Sequence, residues 1–260
     1  MYDEDYSTAW ERRYGAKPDD AFDILGPVLA HRSIRTFSDR PVDASVIAAL
    51  VAAAQSAATS SNLQLYSIIS VDRGPKRERM AELCGGQEQV RSAPWFFAFL
   101  VDTWKLRQAT RQHGVEDSAL DHQEMLVMAA VDAALAAERM LGAAQRLGLG
   151  GCYIGGLRND PEGVKRELKL PVGVFGVFGM TLGYPRADAS AAIKPRLGQD
   201  RVWFREEYPD SVELDEYDER MESFYREQGY GGGDPWSLRS AQRATIRGIG
   251  VLAHQPVPLQ

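Results

Sequence analysis

Seven consecutive apolar residues, Trp95–Val101 (WFFAFLV), constrain the fold most. The run has strand length, and its lack of alternation suggests a strand covered on both faces. The second constraint is the stretch Asp121 to Arg146, the longest helical pattern in the chain, filled with Ala and Met and ended by Gly148. A helix this apolar needs cover on most sides, either in a central core or shared between the core and a subunit interface; we favour the shared position.

Around these two segments the pattern alternates. Phe22, Ile24, Leu25, Val28 and Leu29 recur at helical spacing and predict a helix before His31. Asp43 is a good N-cap for a helix with the apolar stripe Val46, Ile47, Leu50, Val51 and Ala54, which should stop at Thr59-Ser60-Ser61-Asn62. Tyr66–Val71 reads as a strand, and Lys76–Cys84 as a short helix ended by Gly85-Gly86. Gly151–Ile154 and Phe175–Leu182 read as strands, and Asp160-Pro161 opens a helix running to Leu168. Residues 185–200 form a loop, Glu213–Gln228 a helix, Gly231-Gly232-Gly233 a hinge, and Ser237–Ile246 a last short helix. Strands alternating with helices predict α+β or α/β architecture with one central sheet.

The chain of 260 residues suits one large domain or two small ones. A net charge of −6 argues against nucleic acid as a partner. The polar N-terminus lacks an apolar leader core, and no stretch of about eighteen apolar residues predicts a membrane span, so a cytoplasmic location is expected. Two cysteines, Cys84 and Cys152, stand outside any metal-binding spacing, which predicts a reducing compartment, no structural zinc, and small buried side chains.

Four clusters could carry chemistry. His31-Arg32-Ser33-Ile34-Arg35 places two guanidiniums and a hydroxyl beside a helix end, the donors that suit phosphate oxygens; a solvated basic patch is the simpler reading of those residues alone. Thr59-Ser60-Ser61-Asn62-Leu63-Gln64 offers hydroxyls and amides to a polar ligand edge, or serves as turn and capping chemistry. Gly148 to Gly156 flanks a strand with glycines and suggests backbone held close to a flat ligand, although the dinucleotide-binding glycine spacing is absent. Lys194-Pro195-Arg196 sets two cations on a stiffened loop. The four histidines, His31, His113, His122 and His254, show no metalloprotease spacing, and no nucleophile elbow is present.

In order along the chain, HRSIRTF, ATSSNLQ, CGGQ, GLGGCYIGGLRND, FGMTLGYP and KPRL are similar to the FMN-binding nitroreductases, in the oxygen-insensitive NADPH nitroreductase and bacterial NADPH-flavin oxidoreductase branch. The resemblance runs from about Leu25 to Trp236. It implies an α+β fold with a central mixed sheet flanked by helices, in a domain-swapped homodimer with FMN at the interface. It implies an N-terminal extension over residues 1–20, then one FMN-binding domain over 21–260 whose C-terminal segment embraces the partner.

Carried over by position, His31, Arg32, Ser33 and Arg35 would hold the phosphate and ribityl end, with Thr59, Ser60 and Ser61 approaching from the partner subunit. Gln87 would bind the flavin. Tyr153, Ile154, Gly155 and Gly156 would present backbone to the ring, with one glycine N–H aimed at N5. Lys194 and Arg196 would complete the clamp. Asn62 or Gln64 could serve the polar pyrimidine edge. Arg35, Lys194 and Gly155 are the candidates for tuning the flavin.

The implied activity is a ping-pong transfer of electrons from NADPH or NADH through flavin N5 to small nitroaromatic, quinone or flavin acceptors. It needs no obligatory catalytic side chain and no metal. Release of free reduced flavin, a specialised dehydrogenase on the same scaffold, and a low-turnover FMN-binding redox sensor or store are the alternatives. One departure concerns the reductant. The stretch Gln228–Pro235, where the branch places an arginine for the 2′-phosphate, has none and carries Asp234; Arg226, Arg239 and Arg243 lie nearby in sequence.

Overall fold

The computed structural model describes residues 2, 4–229 and 233–245. They form two compact units, Met1–Arg32 with Ser190–Gln260, and Ser33–Ala189.

The Ser33–Ala189 unit is built on a four-stranded sheet: β1 (Tyr66–Ser70), β2 (Trp95–Asp102), β3 (Gly150–Ile154) and β4 (Val174–Gly183), in the order β1-β2-β4-β3. Seven of the eight residues of β2 are buried, as expected for a strand covered on both faces. The single central sheet agrees with expectation, but its pairing corrects one detail. The resemblance implied a mixed sheet, whereas every strand pair among the described residues is antiparallel.

The register supplies the reason. The first residues of β2 and β3 pair with the end of β4 (Trp95 with Leu182, Gly150 with Gly183), so β2 and β3 run the same way. A crossover helix joins them, which is the signature of parallel neighbours. Strand β4 then enters between the two, and each ends beside an antiparallel partner.

That crossover helix, α7 (Gln123–Arg146), is 24 residues long. Its buried Ala133, Ala136, Ala137, Met140, Leu141 and Ala144 pack with α3 (Ala44–Gln55) against Phe97, Phe99, Met180 and Leu182 of the sheet. A second core on the other face joins Met80 of α4 (Pro75–Leu83), Val90 of a short α5 (Glu88–Ser92), and Val164 of α8 (Pro161–Leu168) to Phe96, Ala98 and Leu100. Alternate β2 residues thus feed opposite cores, which is why the run could not alternate in polarity. The sequence did not announce α5 or α6 (Trp104–His113). The predicted stop of α4 holds: Gly85 and Gly86 take φ of +84° and +71°, and their N–H groups donate to the carbonyls of Glu82 and Ala81. Asp160 caps α8 through the Gly163 N–H at 2.8 Å.

The Met1–Arg32 and Ser190–Gln260 unit holds α1 (Tyr6–Tyr14), α2 (Gly26–Leu29), α9 (Asp215–Glu227) and α10 (Trp236–Arg243). Its core joins Tyr2, Ala9, Ala30 and Ile193. The helix expected across Phe22–Leu29 is broken. Pro27 can only stand in a first turn, so α2 restarts at Gly26, and Ile24 and Val28 are 88% and 61% exposed rather than forming a buried stripe. Gly231 and Gly232 of the expected hinge, Ile246 of the last helix and His254 lie outside the described residues.

Candidate functional site

In the unit that contains both chain termini, two distant cationic segments meet on one side chain. Arg13, at the end of α1, is 5% exposed. Its guanidinium donates to the carbonyls of Leu29 at 2.7 Å, His31 at 2.9 Å and Lys194 at 3.4 Å. Its own carbonyl accepts from the backbone N–H of Arg196 at 2.9 Å and from the Arg220 guanidinium at 3.1 Å. His31 and Lys194, 163 positions apart in sequence, are therefore fixed together as backbone. Tyr217 adds its hydroxyl to the carbonyl of Pro195 at 3.2 Å. Burial, then the like charge of Arg196, pulls the Arg13 guanidinium below the ordinary arginine value. Arg32 faces Glu4 at 3.0 Å, with the Tyr2 ring centroid 5.9 Å away.

In the Ser33–Ala189 unit, the other half of the HRSIR motif runs beside β3. The Ile34 N–H donates to the carbonyl of Gly151 at 2.9 Å, which sets Ser33 and Arg35 either side of that bond. Both reach Cys152: burial pushes its thiol up, while the Arg35 charge and a hydrogen bond with Ser33 pull the other way. Strand β3 delivers Tyr153 and Ile154 and ends in a tight turn at Gly155–Arg158. The two glycines of that turn differ. A Cβ on Gly156 would lie 2.4 Å from the Cys84 carbonyl oxygen and 2.8 Å from Gln87 Nε2. A Cβ on Gly155 would meet nothing closer than the Arg158 guanidinium at 3.7 Å. Gly156 is thus the packing glycine, and Gly155 leaves backbone bare, as the close approach of a flat ligand requires.

Gln87 follows the Gly85-Gly86 stop and donates to the Cys84 carbonyl at 2.8 Å while accepting from Gln89 at 2.7 Å. The Tyr153 hydroxyl donates to Glu138 at 3.0 Å; burial first, then the Glu138 charge, raises its pKa and keeps the phenol neutral.

Thr59, Ser60 and Ser61 occupy an unusual loop. Ser61, Asn62 and Gln64 all have positive φ, between +50° and +56°. Non-glycine residues held this way store strain, about 1 kcal/mol or more each. The anchor is Asp132 of α7, fully buried, whose carboxylate accepts from the Ser60 N–H at 2.8 Å and the Leu65 N–H at 3.0 Å.

Sequence reading had missed Asp132, Arg13 and Glu4. Asp132 carried a signal: it is the one charged residue between Glu124 and Glu138, in the middle of an apolar helix. A carboxylate there must find donors or unfold its surroundings. Arg13 and Glu4 carried none, because Arg13 bonds backbone and Glu4 meets Arg12 and Arg32, which nothing in the sequence pairs with it. No group of three or more metal-ligating side chains occurs among the described residues.

The chain is 38% identical over 210 residues to FMN reductase (NADPH) of Bacillus subtilis (strain 168), covering 78% of this chain and 84% of that protein. It is 37% identical over 222 residues to NADPH-dependent oxidoreductase of Staphylococcus aureus, covering 82% and 88%. The solved structure of Bacillus megaterium NfrA2 superposes with a TM-score of 0.81 at 35% identity, covering 87% of this chain and 93% of that one. The family model described as "Nitroreductase family" matches residues 28–184, and "Nitroreductase family, C-terminal domain" matches residues 194–249. The chain belongs to the nitroreductase family.

Proposed function

We propose that this chain is a homodimeric, FMN-dependent oxidoreductase that takes electrons from NADPH and delivers them to nitroaromatic, quinone or flavin acceptors. One observation carries the reading: Arg13 ties the backbone of His31 to that of Lys194 and Arg196, which brings two cationic segments far apart in sequence together. It is supported by the relatives named FMN reductase (NADPH) and NADPH-dependent oxidoreductase.

On this reading His31, Arg32, Ser33, Arg35, Lys194 and Arg196 hold the phosphate and ribityl end. Charge-assisted forks and a hydroxyl suit a dianion. Gly155 gives the ring bare backbone, and Tyr153, Ile154, Gly156 and Gln87 shape the floor beside it. Thr59, Ser60 and Ser61 approach from a second subunit. Arg35 or Lys194 stands as the cation that stabilises negative charge on the ring edge. Bound there, FMN supplies the hydride and electron transfer, and the protein supplies position, electrostatics and shelter.

The homodimer is supported by an apolar row on α7. Val127, Val131 and Leu135, four residues apart, are 45–49% exposed on one face of a helix whose other face is core. Such a row invites burial against a second copy. The chain's C-terminal segment, from about residue 190, would embrace that copy. Leu135→Glu should convert a dimer to a monomer in analytical ultracentrifugation; a wild-type monomer sinks the dimer reading. Among the described residues no helix is long and apolar enough to cross a membrane.

Anaerobic stopped-flow mixing of the flavin-loaded protein with NADPH tests the enzyme reading. Bleaching of the flavin absorption band, then recovery on adding a nitroaromatic or quinone, is the expected result. Failure to bleach with either NADPH or NADH refutes it and leaves a flavin-binding store. Steady-state rates with free FMN against a nitroaromatic separate a flavin reductase from a nitroreductase.

A further inference from the structure

The segment preceding the family match, which begins at residue 28, had no role from sequence. We propose that this N-terminal extension is part of the cofactor site, and that Arg13 is the positioning residue for its phosphate clamp. The proposal rests on the reading above that the clamp holds the FMN phosphate.

The extension is built to deliver this side chain. Asp5 caps α1 through the Thr8 N–H at 2.9 Å, and Gly15, at φ +76°, stops the helix two residues after Arg13. The last carbonyls of a helix lack internal partners, so the Arg13 carbonyl is available, and Arg196 and Arg220 take it. Side chain and main chain of one residue thereby bracket Lys194–Arg196, and the same guanidinium fixes Leu29 and His31. A buried cation is ordinarily matched by a carboxylate. Among the described residues the Arg13 guanidinium donates to carbonyl oxygens, and the nearby charge that bears on it most is Arg196, another cation. A second tie from the extension reaches the same clamp: Glu4 meets both Arg32, at 3.0 Å, and Arg12, at 3.4 Å. Arg13 itself is occupied by carbonyls, so its part is to aim the clamp, not to touch phosphate.

The test compares FMN with riboflavin, which lacks the phosphate, by fluorescence titration of full-length apoprotein. Wild type should prefer FMN, and Arg196→Ala should lose that preference. Arg13→Ala and Arg13→Gln should weaken FMN about tenfold or more while riboflavin binding stays within about twofold. In wild type, FMN but not riboflavin should slow backbone hydrogen exchange across Tyr6–Tyr14, a measurement that needs no variant to fold. Equal wild-type affinity for the two flavins overturns the phosphate reading itself. If wild type prefers FMN and Arg196→Ala does not, the Arg13 assignment falls when the folded Arg13 variants keep the wild-type ratio, or lose both flavins alike. It falls equally if FMN and riboflavin protect Tyr6–Tyr14 to the same degree.

Discussion

The adjacent glycines Gly155 and Gly156 permit a substitution pair that separates packing from cofactor binding. In Gly156→Ala the new methyl would sit 2.4 Å from the Cys84 carbonyl oxygen and 3.1 Å from its carbon. Ordinary carbon–oxygen contact begins about 0.8 Å further out, and a terminal carbonyl of α4 cannot yield by that much without disturbing the Gly85-Gly86 stop. Overpacking of this kind costs about 1–3 kcal/mol, and the upper end applies because the obstacle is backbone. Gly155→Ala meets only a guanidinium at 3.7 Å. The fold should be unharmed, or gain about 0.4–1 kcal/mol from a stiffer unfolded chain. Yet the methyl would occupy the bare face assigned to the flavin ring, and an affinity loss of about tenfold or more is expected. Urea unfolding of both apoproteins, with flavin titrations of the folded forms, reads the two effects separately. A wild-type midpoint for Gly156→Ala would refute the packing argument. Wild-type FMN affinity in Gly155→Ala would mean that the ring does not lie against that face.

Three further outcomes follow from the same geometry. Asp132→Asn replaces one acceptor with a donor facing a buried N–H, so it should destabilise by about 1–3 kcal/mol and release the strained Thr59–Gln64 loop, seen as faster hydrogen exchange there; unchanged exchange would show that Asp132 is not the anchor. Burial raises Cys84, to about 12, and raises Cys152, Tyr66 and Tyr217. These groups ionise earlier in the unfolded chain, which then binds fewer protons than the folded one. Stability should therefore fall as pH rises above about 9, by up to about 1.4 kcal/mol per pH unit for each group; urea midpoints at pH 8 and 10 check the sign, and Cys84→Ala should reduce the slope. Finally, Arg239 and Arg243 share an open cleft with Tyr225 and Trp236, Arg239 lying 4.4 Å from the Tyr225 ring centroid. Arg239→Ala with Arg243→Ala should raise KM for NADPH and leave KM for NADH unchanged, and equal effects on both would remove these residues from 2′-phosphate recognition.

What sequence could reveal here divides along a physical line. Strand β2, the cap at Asp160, the Gly85-Gly86 stop and the span of α7 were legible because each is dictated within a few residues of itself: by unbroken apolar character, by proline's fixed φ, or by glycine's access to positive φ; Asp43 stands at the N-cap position of α3, but its side chain makes no capping bond. The clusters around His31, Thr59, Gly155 and Lys194 were legible only as residue types, and their meaning came from resemblance. Sheet order was hidden, since the β2–α7–β3 sequence reads as a parallel crossover until β4 is seen between the strands. The supporting residues were hidden for another reason. Arg13 and Asp132 satisfy main-chain groups of other segments, and every residue but proline has the same N–H and C=O, so the partner leaves no mark in its own sequence. Only the supporting residue is marked, and only where its surroundings make it anomalous: Asp132 stands alone in an apolar helix, whereas Arg13, beside Arg12 in a polar helix, looks like surface. An isolated charge inside an apolar periodic segment is therefore worth reading as an anchor for strained backbone elsewhere, and the exchange experiment on Asp132→Asn tests that rule as much as it tests this residue.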